Sequence, residues 1–109
     1  MDKETEQQIG QLQMIEQSLQ SLMLQKQNFQ AALLECETAI NEIGKSKGEA
    51  YKIVGGIMVS SDKNELNKEL NSKMDVLKLR IKNIESQEKS IGDKAKKLQE
   101  EVVEKLKKK

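Results

Sequence analysis

The chain has 109 residues, 34% of them charged and 2% aromatic, with Phe29 and Tyr51 the only rings and a formal net charge of +1. So few large apolar side chains exclude a compact core of ordinary size and imply one elongated domain, while near-neutrality excludes a uniformly basic nucleic-acid binder. The absence of His and Pro removes the commonest general base and metal ligand and leaves long helices unbroken.

Residues 1–43 form the first arm, with seven acidic and two basic side chains. From Leu12 the seam steps by three and four residues in turn: Leu12, Ile15, Leu19, Leu22, Lys26, Phe29, Leu33, Cys36, Ile40 and Ile43. Ten positions on a 3.5-residue repeat, with only Lys26 polar, predict a coiled-coil helix, with Leu12 at position a and Ile15 at d. Glutamine and glutamate fill the solvated face. At 1.5 Å per residue, about 40 helical residues span roughly 60 Å. Gly44 stands where a left-handed C-terminal cap is expected. Cys36, the single cysteine, sits at a d position as a small seam residue. With no disulfide partner, no leader-like segment and no run of 18 apolar residues, a soluble, cytoplasmic protein is expected, with no membrane contact.

Residues 44–61 change character. Tyr51-Lys52-Ile53-Val54 and Ile57-Met58-Val59 flank Gly55-Gly56, and a glycine pair supplies the positive φ angles of a tight turn, so a β-hairpin is predicted. Alternation gives both faces apolar residues, and a lone two-stranded hairpin is marginal in water with two unpaired edges. Tyr51, Ile53, Val54, Ile57, Met58 and Val59 are therefore expected to form an oligomer hub, embedded in a barrel that several chains build together.

Residues 62–109 form the second arm, with fourteen basic and ten acidic side chains. Asp62 and Glu65 have capping-box spacing. The seam resumes at Asn67, Leu70, Met74, Leu77, Ile81, Ile84, Glu88, Ile91, Ala95, Leu98, Val102 and Lys105, with Glu88 the one polar interruption in its interior. Two arms of equal length and opposite net charge, joined by a short connector, pair antiparallel within the chain. That pairing brings Lys26 and Glu88 within about one turn of each other, as a register-setting ion pair. The fold class is thus mainly α: a long antiparallel coiled-coil hairpin with a central two-stranded β-hairpin that joins an oligomeric β-barrel.

The helix–hairpin–helix order, Tyr51-Lys52-Ile53-Val54-Gly55 followed by Ile57-Met58-Val59, Gln25-Lys26-Gln27 in the first arm, and Leu77, Arg80, Ile84 and Gln87-Glu88 in the second resemble the β-type subunit of prefoldin, archaeal in its plainness. The likeness covers essentially the whole chain. Gly56 departs from it, a longer polar residue being usual there. The resemblance implies an ATP-independent holdase chaperone. It would be a hexamer of two α-type and four β-type subunits that binds non-native client proteins at its coiled-coil tips and delivers them to a group II chaperonin.

The tips are the two chain ends. Apolar residues off the seam there are Ile9, Met14, Val103 and Leu106, and splayed ends would add Leu12, Leu98 and Val102. These seven are the candidate client contacts, since mobile Leu and Met side chains adapt to irregular apolar segments. Off-seam Met23, Leu24, Leu34, Val76 and Leu79 read as surface or lateral contacts. Lys107-Lys108-Lys109 complement the C-terminal helix dipole. No phosphate loop, metal-ligand cluster or nucleophile–base pair occurs, so no catalytic residue, metal or cofactor is expected. The competing reading is a structural coiled-coil adaptor or scaffold, which leaves the hairpin without a purpose. Nucleic acid is not an expected partner: the second-arm lysines are interleaved with acids and lack stacking aromatics.

Overall fold

A computed structural model describes residues 2–108. Its elements run α1 (Lys3–Lys45), β1 (Ala50–Val54), β2 (Ile57–Ser61) and α2 (Lys63–Lys107). Both helices start on an aspartate. Asp2 Oδ1 accepts a 2.7 Å hydrogen bond from Thr5 N, and Asp62 Oδ1 accepts one of 2.8 Å from Asn64 N, each satisfying an amide that the first turn leaves orphaned. Glu4, Glu6 and Glu65 in the first turns, with Lys45, Lys105 and Lys107 in the last, match the sign of the helix dipole at each end.

Two local expectations need correction. Gly44 does not cap α1: the helix continues through it to Lys45, and Ser46 N donates to Glu42 O at 3.0 Å. Left-handed glycine is found among the described residues only at Gly55 and Gly56. The chain leaves α1 instead through a serine turn, with Gly48 N donating to Ser46 Oγ at 3.3 Å. At α2, the Asp62 carboxylate reaches the amide of Asn64 rather than that of Glu65, so the start is a simple N-cap and not a reciprocal box.

The chain divides into two units, Met1–Gln27 with Lys82–Lys109, and Asn28–Ile81. In the first, Thr5, Ile84 and Val102 are buried, and Leu12, Ile15, Leu19, Leu22, Ile91, Ala95 and Leu98 are half-buried. In the second, Cys36, Leu66 and Leu77 are buried, and Phe29, Leu33, Ile40, Ile43, Leu70, Met74 and Ile81 are half-buried. The residues that repeat every three and four positions are thus the ones withdrawn from solvent, while the glutamine-rich positions between them stay exposed. Contacts in the first unit fix the direction of pairing. Glu4 meets Lys105, Gln8 meets Glu101 and Lys26 meets Glu88, so α1 ascends as α2 descends. In the second unit the Arg80 guanidinium lies 5.6 Å from the centroid of the Phe29 ring, a cation–π contact worth about 0.5–1 kcal/mol at an exposed site.

The second unit also holds the hairpin. β1 and β2 pair antiparallel in the register Ala50↔Ser61, Tyr51↔Ser60, Lys52↔Val59, Ile53↔Met58 and Val54↔Ile57. Gly55 and Gly56 have φ of 57° and 81°, the left-handed pair that lets a two-residue turn follow the twist of the strands. Lys63 Nζ donates to Ser46 O, tying the start of α2 to the end of α1.

Glycine substitutions separate the two roles of this residue. Gly10 lies inside α1, where an added Cβ would meet nothing within 4 Å. Gly10→Ala is expected to stabilise the chain by about 0.5–1 kcal/mol. Gly55→Ala, forced into a left-handed conformation, is expected to destabilise it by about 1–2 kcal/mol. Urea titrations followed by circular dichroism check both signs.

Candidate functional site

Three groups of side chains were singled out by the sequence, and each lies within one unit. The hub residues are in the second. Register places Val54, Ile57 and Val59 on one face of the hairpin with Ala50 and Lys52, and Tyr51, Ile53 and Met58 on the other. All six named hub residues are exposed, from 42% for Val59 to 72% for Ile53. The sheet has two strands, so each strand keeps one edge of unpaired backbone groups. Covering a fully exposed Val, Ile or Met is worth roughly 1.5–3 kcal/mol. Five partly exposed Val, Ile and Met side chains, with Tyr51, on ten strand residues thus favour enclosure of the hairpin. The polar groups at its base are already engaged: Lys52 Nζ lies 3.3 Å from Glu69 Oε1, and Tyr51 Oη donates to Glu49 Oε2 at 2.9 Å.

Lys26 and Glu88 meet in the first unit. Lys26 Nζ donates to Glu88 Oε1 at 2.8 Å, and both side chains are about three-quarters withdrawn from solvent. The hydrogen bond to Glu88 raises the Lys26 ammonium above its ordinary pKa; burial opposes it, and the charges of Glu88 and then Glu85 add smaller upward effects. A polar pair inside a mostly apolar seam satisfies itself in one register and is stranded in shifted ones.

The helix ends divide differently from expectation. Met14, Val103 and Leu106 are exposed, at 69%, 43% and 45%. Ile9, Leu12 and Leu98 are half-buried, and Val102 is buried. The splaying that would expose Leu12, Leu98 and Val102 is absent, because polar contacts close this end. Lys105, at a seam position, sends Nζ to Glu4 Oε1 at 3.0 Å and to Gln8 Oε1 at 3.1 Å, and Gln8 Nε2 donates to Glu101 Oε2 at 3.2 Å. Lys108 adds only a 3.9 Å contact to Glu104; Lys109, the last of the terminal lysines, lies outside the described residues.

Sequence reasoning missed several of these groups. Thr5 and Gln8 stand seven residues before Leu12 and Ile15, so the same repeat, extended one heptad, would have found them. Leu66 is buried, whereas Asn67, the residue the repeat selects, is half-buried with its Oδ1 lacking any hydrogen-bond donor. The available signal was Leu66 at four residues before Leu70. Among the described residues no group of three or more Cys, Asp or Glu is placed to hold a metal ion, and no helix is long and apolar enough to cross a membrane.

Comparison with known proteins gives the same order of elements. The family model described as prefoldin subunit matches residues 6–109. Prefoldin subunit beta of Methanothrix thermoacetophila is 38% identical over 101 residues, covering 91% of this chain and 84% of that protein. Prefoldin subunit beta of Pyrococcus furiosus is 36% identical over 96 residues, covering 86% and 82%. The crystal structure of the prefoldin beta subunit from Thermococcus strain KS-1 superposes with a TM-score of 0.86 at 32% identity, over 93% of this chain and 90% of that one.

The raised pKa of Lys26 sets the sign of a pH test. Its stabilising effect is complete below the unfolded-state lysine pKa of about 10.4 and is lost as pH rises through the higher folded value. Thermal melts of the native chain and of Lys26→Met are expected to differ at pH 7, with the variant melting lower because Glu88 is left unpaired. The difference should shrink in strongly alkaline buffer.

Proposed function

The chain belongs to the prefoldin family, and from that membership we propose that it acts as an ATP-independent holdase subunit. Its hairpin assembles with other prefoldin subunits, two α-type with four β-type. Its helix ends bind non-native proteins in the cytosol and pass them to a group II chaperonin. The observation that carries this reading is the hairpin, apolar on both faces, exposed on both and unpaired at both edges. An isolated strand pair of this kind does not persist uncovered in water, and strands from neighbouring chains supply what it lacks.

At the helix ends, Met14, Val103 and Leu106 are the side chains ready for a client without rearrangement. Ile9, Leu12, Leu98 and Val102 would join them when the contacts around Lys105 open. Lys105 is part-buried but its partner Glu4 is 73% accessible, and ion pairs open to solvent on one side contribute about 1 kcal/mol or less. Each end therefore opens readily and grips weakly. Several ends acting on one polypeptide raise the effective affinity through their shared attachment.

Mixing the chain with an α-type prefoldin subunit should give a hexamer by native mass spectrometry and suppress aggregation of a chemically denatured protein. Ile53→Lys with Ile57→Lys is expected to abolish assembly, while deleting residues 1–12 and 99–109 should preserve assembly and reduce aggregation suppression to background. Loss of assembly on the terminal deletions, with the lysine variant still hexameric, would reverse the assignment of the two regions.

A further inference from the structure

The described methionines differ in what surrounds the sulfur. Met74 is half-buried on the α2 seam, while Met14 and Met23 are exposed on α1 away from its seam. Met58, in β2, is as open as Met14, at 67% against 69%. Its setting is what sets it apart. Because Gly55-Gly56 is a two-residue turn, Val54↔Ile57 is the hydrogen-bonded pair beside it and Ile53↔Met58 the next, non-hydrogen-bonded pair, in which facing side chains lie closest. Tyr51 is the diagonal neighbour on the same face, so the thioether stands amid the apolar face of Tyr51, Ile53 and Met58. Donors near it are few. Tyr51 Oη gives its proton to Glu49, and Lys52, on the other face, reaches Glu69. Ser60 is the other hydroxyl on this face, two residues along β2 and about 7 Å away by the strand rise.

We propose that Met58 is a modification site for peroxides, at which sulfoxidation of the free chain blocks enclosure of the hairpin. The inference rests on the assembly role of the hairpin and adds a reversible control on it. With hydrogen peroxide the thioether sulfur attacks one oxygen, the O–O bond breaks, and that oxygen stays on sulfur as a sulfoxide. The other oxygen takes up the transferred proton and leaves as water, so sulfur loses the two electrons that the peroxide gains. A flexible apolar side chain becomes a polar one. At Met14 and Met23 the new oxygen keeps its water, because both side chains point away from the helix seam. At Met58 it stands between Ile53 and Tyr51 on a face to be covered, where an oxygen enclosed without a donor gives up its hydration unrepaid. Exposure works in the other direction too: once enclosed, Met58 is out of reach of a peroxide, so sensitivity is confined to the unassembled chain. Cys36, the remaining sulfur, is buried at 3% exposure and shielded in either state. Reduction by a thiol-dependent sulfoxide reductase restores the thioether, the oxygen leaving as water while two thiols become a disulfide.

The test treats the full chain with dilute hydrogen peroxide, removes the peroxide and mixes the chain with an untreated α-type prefoldin subunit. Peptide mass mapping identifies the oxidised sulfurs, and native mass spectrometry counts the hexamer. Oxidation at Met58 should lower hexamer yield by roughly tenfold or more, with helix content by circular dichroism unchanged, and sulfoxide reductase should restore it. Met58→Leu, which keeps size and apolar character, should assemble equally well before and after treatment although its Met14 is oxidised. Met58→Gln, polar and inert to peroxide, should reproduce the loss without treatment. Full hexamer yield from a chain oxidised at Met58, or an equal loss in the native and Met58→Leu chains, overturns the site. If untreated native and Met58→Leu chains both fail to form a hexamer, the assembly reading of the hairpin falls, and the site with it.

Discussion

A helix whose apolar residues form a stripe only two positions wide can be covered by one other helix and no more. That constraint governs the rest of this chain. With Phe29 and Tyr51 as its only rings, the sequence has no means of building a thicker core, so its seam residues are mostly half-buried rather than sealed. Specificity of pairing then falls to the few seam residues that are not aliphatic. Lys26 and Glu88 meet at 2.8 Å, and Lys105 bridges Glu4 and Gln8 near the chain ends. Each is satisfied in one antiparallel register and left without its partner in others, so the polar interruptions give up some apolar burial for uniqueness.

The same scarcity explains where the chain leaves apolar surface uncovered. Side chains that face along the seam are spoken for by the partner helix; those of the hairpin are not. Tyr51, Ile53, Val54, Ile57, Met58 and Val59 remain exposed, on both faces of the strand pair. Gly55 and Gly56 make a two-residue turn that keeps the strands short and paired, which presents two apolar faces and two free edges from twelve residues of chain. Membership of the prefoldin family implies assembly with other prefoldin subunits, and the hairpin is the surface proposed for it.

Much of this was legible in the sequence because it rests on periodicity and on glycine. Steps of three and four residues identified the seam, and the glycine pair located the turn within one residue of its strands. What the sequence did not disclose depends on local competition that a repeat cannot register. α1 runs through Gly44 because the Ser46 amide continues the helical ladder to Glu42, and a glycine is permitted, not obliged, to adopt a left-handed conformation. The burial of Leu66 beside Asn67 turns on which of two adjacent residues faces inward at the first turn of α2, a rotation of about 100° that the 3.5-residue repeat leaves undetermined. The contacts that close the ends were not foreseen because they are made by polar side chains, Glu4, Gln8 and Glu101, which an apolar pattern does not select.

The central claim is that the hairpin is the assembly module. Hydrogen–deuterium exchange of the chain alone and after mixing with an α-type prefoldin subunit tests it most directly. The account predicts that residues 50–61 exchange readily in the free chain and gain strong protection in the mixture, while residues 3–12 and 98–107 change little. Protection gained at the helix ends, with the hairpin left exchanging as before, would contradict it.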